Sequence, residues 1–242
     1  MSTLRSNLIE PLSGTTVTLG ASGDAVTVPA GATLKSNTFK DAGGNTLFTS
    51  NGSGVVSGAN VALIDNLVLI SSQSASNSAS VEFTSGIDST YDIYVFHIVN
   101  YDLATNAQEF GVQFSINNGT SYGVTKTSTF ASSHHNEANS VLELENRPSS
   151  DRAQSTSFQH LDVGNETNAD SSGVGCLKLW NPSSTVYVKH FNYTGNNHRH
   201  SNATFGSYVA GYLNTPSPIN AVKFVSASGN ITAGNFYMYG IK

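Results

Sequence analysis

From residue 61 onward the chain is a succession of short apolar runs rich in β-branched and aromatic residues, each closed by a turn signal. Such runs occupy 61–70, 80–84, 91–101, 109–116, 122–127, 173–180, 185–191, 205–213, 221–225 and 235–241. Several alternate apolar with polar: Val112, Phe114 and Ile116 fall on one side of an extended strand, and so do Val186 and Val188. No stretch carries a 3.6-residue period with caps, so helix content is expected to be minor. Asn117-Asn118-Gly119 is read as a hairpin turn, because Asn and Gly accept the positive φ of tight turns; Asn181-Pro182 and Gly229-Asn230 punctuate similarly. Many short strands with frequent turns predict an all-β sandwich or barrel, of which a jelly-roll-like β-sandwich over 59–242 is the reading adopted. The region 132–170 is the least regular, with one strand expected around 155–161 and loops suited to binding.

Residues 1–58 have a different texture. Their large apolar side chains come in pairs, Val17 with Leu19 and Val26 with Val28, followed by Leu34, with Gly-rich turns between. The step from Val17 to Val26 equals that from Leu19 to Val28, a hint of a short repeat. Strands this thin cannot offset roughly 1–2 kcal/mol of backbone entropy per residue from their own burial. Several identical chains winding their apolar edges together would solve the problem, which predicts a slender N-terminal β stalk in a homo-oligomer. A flexible linker is the alternative, and it has no need of the alternation.

Composition narrows the function classes. Charged residues make up 11% of the chain, against about 25% in an average soluble domain. Disorder is disfavoured by 38% hydrophobic residues, with 10 Tyr and 12 Phe available for a core. A net charge of −5 argues against a nucleic-acid partner, which calls for a basic face. Cys176, the single cysteine, rules out an intrachain disulfide and reads as a small buried hydrophobe. The run 61–70 is broken by Asp65 and Asn66 and is too short to span a bilayer, and the first residues lack a signal-peptide pattern, so synthesis in a cytoplasm without membrane insertion is expected.

Candidate chemistry is sparse. No Gly-x-Ser-x-Gly elbow, His-Glu-x-x-His or phosphate loop occurs, so no catalytic residue and no cofactor are assigned. Glu143 and Glu145 alternate with Leu142 and Leu144, which reads as a half-buried strand with its polar side in water rather than as a glycosidase pair. His198 and His200 are two apart, so on a strand both imidazoles face one way, and three copies about an axis would offer six nitrogens to an octahedral metal ion. Solvated loop histidines are the plain reading of the same residues. Tyr193, in the run Asn192-Tyr193-Thr194-Gly195, is read as an exposed loop aromatic and, with Asn196 and Asn197, as the candidate ligand-binding group.

Four strings carry a resemblance: SGTTVTLGASGDAVTVPAGATL at 13–34, FTSGIDSTYDIYVF at 83–96, NPSSTVYVKHF at 181–191 and GNFYMYGIK at 234–242. With SYGVTKT at 121–127 they resemble structural proteins of marine tailed bacteriophages, tail-fibre or appendage type, with a Gly-rich stalk and a C-terminal β-sandwich. The resemblance implies a virion protein, trimeric, attached to other virion proteins through its N-terminal segment and presenting its sandwich to a host surface glycan. A purely architectural decoration or connector protein is the alternative.

Overall fold

The computed structural model describes residues 30, 36, 38–41, 43–50, 56–57 and 67–241. The apolar pairs Val17/Leu19 and Val26/Val28, with Leu34, lie outside the described residues, as does 61–66 of the first long apolar run. The chain divides into two compact units, Met1–Ile64 and Asp65–Lys242. In the first, strands β1 (Thr38–Lys40), β2 (Thr46–Ser50) and β3 (Val56–Ser57) form an antiparallel sheet in the order β1-β2-β3. Asp41 closes the β1–β2 turn by accepting the Asn45 backbone N–H at 2.8 Å, and Phe39 stacks on Phe48 at 4.6 Å between centroids.

The second unit is all-β; among the described residues there is no helix. Its large sheet contains β4 (Val68–Ser78), β6 (Ile93–Leu103), β8 (Lys126–Asn136), β9 (Leu142–Asn146) and β10 (Arg152–Ser155). It continues with β12 (Gly173–Trp180), β13 (Lys189–Arg199), β14 (Ala203–Leu213) and β16 (Ile231–Ile241). The order is β10-β8-β14-β13-β12-β6-β16-β4, with β9 also on β8. A smaller sheet runs β11 (Gln159–Asp162), β7 (Phe110–Ser115), β15 (Ala221–Ser226), β5 (Ser80–Phe83). All pairings are antiparallel.

The two sheets pack face to face through a single hydrophobic core. Phe224 on β15 is its hub, with ring centroids 5.7 Å from Phe96, 5.9 Å from Phe110 and 5.3 Å from Phe236. Edge and offset contacts of this kind exceed what area burial alone gives. Alternation decides which residues enter: Phe191 and Tyr193 of β13 point in, while His190, Asn192, Thr194 and Asn196 point out.

Several expectations are corrected here. Asn118 and Gly119 do adopt φ of 55° and 84° in a turn closed by Thr120 N–H to Asn117 O. Yet β7 and β8 do not pair: the turn carries the chain from the small sheet to the large one. The strand expected over 122–127 begins only at Lys126, and that expected over 185–191 begins only at Lys189. Val186 is 72% exposed, because 185–187 is a bend held by backbone N–H groups of Val186 and Tyr187 on Ser184 Oγ. The region 132–170 holds β9, β10 and β11 as well as the end of β8, so it is far more regular than its Ser- and Asn-rich composition indicates.

The candidate functional site on the outward face of the large sheet

Strand β13 runs through the middle of the large sheet, and its register fixes what stands around it. On its β14 side His190 faces Tyr212, Asn192 faces Ala210, Thr194 faces Tyr208 and Asn196 faces Gly206. On its β12 side Asn192 faces Lys178, Thr194 faces Cys176 and Asn196 faces Val174. The result is a track of amide, hydroxyl and imidazole groups flanked by apolar and aromatic ones and, beside Asn192, by Lys178. At about 3.3–3.4 Å per residue, the span from His190 to His198 approaches 27 Å.

Three depressions lie along this track. At one end a cavity of about 690 Å³ is lined by Asn196, His198, Asp170, Glu137, His135 and Thr204 among others. A shallower cleft of about 450 Å³ shares Asn196 and adds Thr194, Cys176 and Tyr208. At the far end Trp180, His190, Asn192 and Tyr212 line a cleft of about 520 Å³. Tyr208 is 50% exposed. The Trp180 indole is oriented by donating Nε1–H to Asn192 Oδ1 at 2.8 Å, and the Tyr212 hydroxyl accepts from Gln154 Nε2 at 3.3 Å.

Two polar groups of the track are fixed by hydrogen bonds of their own. Asn196 Nδ2 donates to Thr204 Oγ1 at 2.7 Å and to Phe205 O at 3.2 Å, which leaves its carbonyl oxygen free. The His198 ring is fixed by a 2.7 Å bond between Nδ1 and Ser171 Oγ, and its Nε2 has no partner.

Of the residues singled out by sequence, Asn196 and His198 come together at the cavity, with Asn197 contributing to its wall. Asn197 itself is buried, its amide donating to Asn165 Oδ1 at 2.7 Å. Tyr193 is a correction: it stands mid-strand in β13, 1% exposed, with its ring inward. The Asn- and Gly-rich run that suggested a loop is held extended because β12 and β14 satisfy its backbone on both sides. On this face Tyr208 and Trp180 are exposed and Tyr212 is half-buried, and their outward alternation on β14 and β12 is the signal that finds them. His200 lies past the end of β13 in a turn, so it and His198 are not adjacent rungs of one strand face. Among the described residues no group of three or more His, Cys, Asp or Glu side chains is placed to hold a metal ion within one chain.

Beneath the track lies a buried polar cluster. Asp162 accepts from Tyr101 Oη at 2.7 Å, Tyr193 Oη at 3.2 Å and Ser207 Oγ at 2.5 Å, and among the described residues it has no ion-pair partner. Burial pushes its carboxyl up to about 7 against these three donors. The same burial, with the neighbouring carboxylate, pushes both tyrosine hydroxyls well above their usual range.

At the β8–β9 edge, Glu143 and Glu145 face the inner side with His134 and Ser132. Arg147 engages Glu145, and the Arg147 and Arg199 guanidiniums lie 5.3 and 5.1 Å from the Phe205 ring centroid. Leu142 and Leu144 are 80% and 82% exposed, which corrects the half-buried strand expected there: the leucines lie on the outward face with His135 and Ser133, on the side away from the small sheet.

Among the described residues no helix is long and apolar enough to cross a membrane. No protein-family model, curated protein or solved structure matches this chain.

Proposed function

We propose that this chain is a non-enzymatic virion structural protein of a tailed bacteriophage, a trimeric tail-fibre or tail-tip subunit whose sandwich attaches to a host surface glycan. In this reading the N-terminal unit is the stalk, joined to other virion proteins, and the C-terminal unit is a jelly-roll-like head. The observation that carries it is the outward track along β13, with Tyr208, Trp180 and Tyr212 beside hydrogen-bonding side chains. An aromatic ring offers an apolar face to the C–H side of a sugar, while amides and hydroxyls take its O–H groups. Three copies on one particle would turn weak single contacts into firm attachment.

The full chain is expected to bind glycans of its host surface, and Tyr208→Ala to reduce that binding at least about tenfold, a loss of roughly 1.4 kcal/mol. Glycan arrays and adsorption to host cells are the measurements. Absence of binding in both removes the attachment role.

One observation favours a second, architectural reading. Leu142 and Leu144 sit on an edge strand, exposed, and edge strands with apolar side chains pair readily with other chains. A decoration or connector protein without a receptor would use that edge as a docking line.

A further inference from the structure

We propose that the ligand of the β13 track is an uncharged, linear, hydroxyl-rich oligosaccharide, and that the face discriminates against acidic sugars. The inference rests on the glycan reading above and adds the class of sugar and its lie on the protein.

Charge comes first. Glu137 and Asp170 line the end cavity, and no Lys or Arg lines any of the three depressions. Lys178, which faces Asn192 on the β12 side, lines none of them. In the end cavity a uronate or sialate would therefore place its carboxylate near these fixed carboxylates, with no Lys or Arg in the lining to pair it; Lys178 stands beside Asn192, in the Trp180 half of the track. Burying an unpaired charge against a like charge opposes binding.

Hydrogen-bond polarity points the same way. With Asn196 Nδ2 already donating to Thr204 and Phe205, its carbonyl oxygen is left to accept, and the carboxylates of Glu137 and Asp170 accept only. These acceptors at the end cavity select donors, and sugar hydroxyls donate. An anionic group brings further acceptors and leaves both sides unsatisfied.

Geometry supplies the third argument. Asn196 belongs to both the end cavity and the Tyr208 cleft, so the two adjoin, and the Trp180–Tyr212 cleft lies further along the same strand. A chain of linked sugars lying parallel to β13 would meet aromatic groups at both clefts. Trp180 and Tyr212 are held by Asn192 and Gln154, so little side-chain freedom is lost on binding there.

The test is calorimetric titration of the intact chain with neutral cello- and malto-oligosaccharides of increasing length, alongside oligogalacturonates of matched length. Expected is binding of a neutral series, tightening with length, with no detectable binding of the acidic one. Trp180→Ala and Asp170→Ala, at opposite ends of the track, should each weaken the longer neutral ligands about tenfold or more and the shortest ones unequally. Asp170→Lys should admit the oligogalacturonate. Thermal melting of each variant verifies the fold. Equal or tighter binding of the acidic series would overturn the inference and leave the attachment reading standing, as would neutral binding indifferent to both end variants or to length. Binding of no sugar by the intact chain, here and on host-glycan arrays, would remove the attachment reading itself.

Discussion

Asp162 shows how strongly the fold can alter the chemistry of one side chain. A carboxyl in water titrates near 3.8; buried here under Tyr101, Tyr193 and Ser207 it is pushed up to about 7. The folded state then holds a proton that the unfolded state has released between those two values. Stability from this group is fully present below about 3.8 and is lost as pH rises through about 7. His160 acts oppositely: burial, then Arg152, lowers it to about 4, so its contribution is lost as pH falls from 6.5. Asp162→Asn keeps the shape and removes only the acid. The stability of the variant relative to the unaltered chain is expected to rise between pH 4 and 7, by an amount on the order of a few kcal/mol. Urea-denaturation midpoints of both proteins across that range check it, and the His160 contribution cancels in the difference. A difference independent of pH would mean that Asp162 ionises in the fold as it does in water.

Two lysines follow the same physics with a different remedy. Lys126 and Lys189 both face Leu213 in register and are buried along their stems. Each ammonium reaches a loop carbonyl, Ser157 O at 2.5 Å and Thr215 O at 3.0 Å. Burial draws Lys126 down to about 8, with Arg152 adding to the effect. These side chains tie loops to the sheet rather than carry charge to the surface.

Among the elements, β12 and β13 show how glycine makes room for the cluster. Gly175 pairs with Gly195 across the two strands, and a Cβ on either would stand 2.2 Å from Tyr193 Oη. A Cβ on Gly173 would stand 2.2 Å from the Tyr101 ring. The two tyrosines thus lie flat over bare backbone, which is what lets both hydroxyls converge on Asp162. Tyr101 reaches the inner face through a bulge: the register of β12 against β6 shifts between Ile98 and Tyr101, with Asn100 at φ 52°. Gly195→Ala is expected to destabilise the protein by about 1–3 kcal/mol, the range for overpacking a filled core. Chemical denaturation measures it. An unchanged midpoint would mean the Tyr193 ring is free to leave its seat.

At the scale of the whole molecule, the chain passes repeatedly between the sheets, and the C-terminal β16 is placed between β4 and β6, far back in sequence. Such pairings form late and tie the last residues into the fold. Association is the remaining question at this scale. The intact chain is expected to sediment as a trimer of its 25.4 kDa subunit, held by the N-terminal unit. The double variant Leu142→Lys, Leu144→Lys should then remain trimeric. Velocity sedimentation decides: a wild-type monomer overturns the trimer, and a monomeric double variant transfers the contact to the β9 edge.

What the sequence determined by itself was the class of structure. Alternation in 109–116 and 205–213, β-branched runs and Asn/Gly turns dictate strands and an all-β molecule, because side-chain period and backbone tolerance are local properties. Local signals also marked Asn196 as an exposed polar group, although they placed it and His198 in a loop, whereas both lie in strand β13 and His198 is half-buried. Tertiary structure alone decided the partners: that Asn118-Gly119 joins different sheets, that Asn192–Gly195 is strand interior with Tyr193 turned inward, and that Leu142 and Leu144 face outward into solvent. The reason is physical. Which side of a strand is covered, and which edge is paired, depends on segments far away in the chain, and neither period nor propensity carries that information.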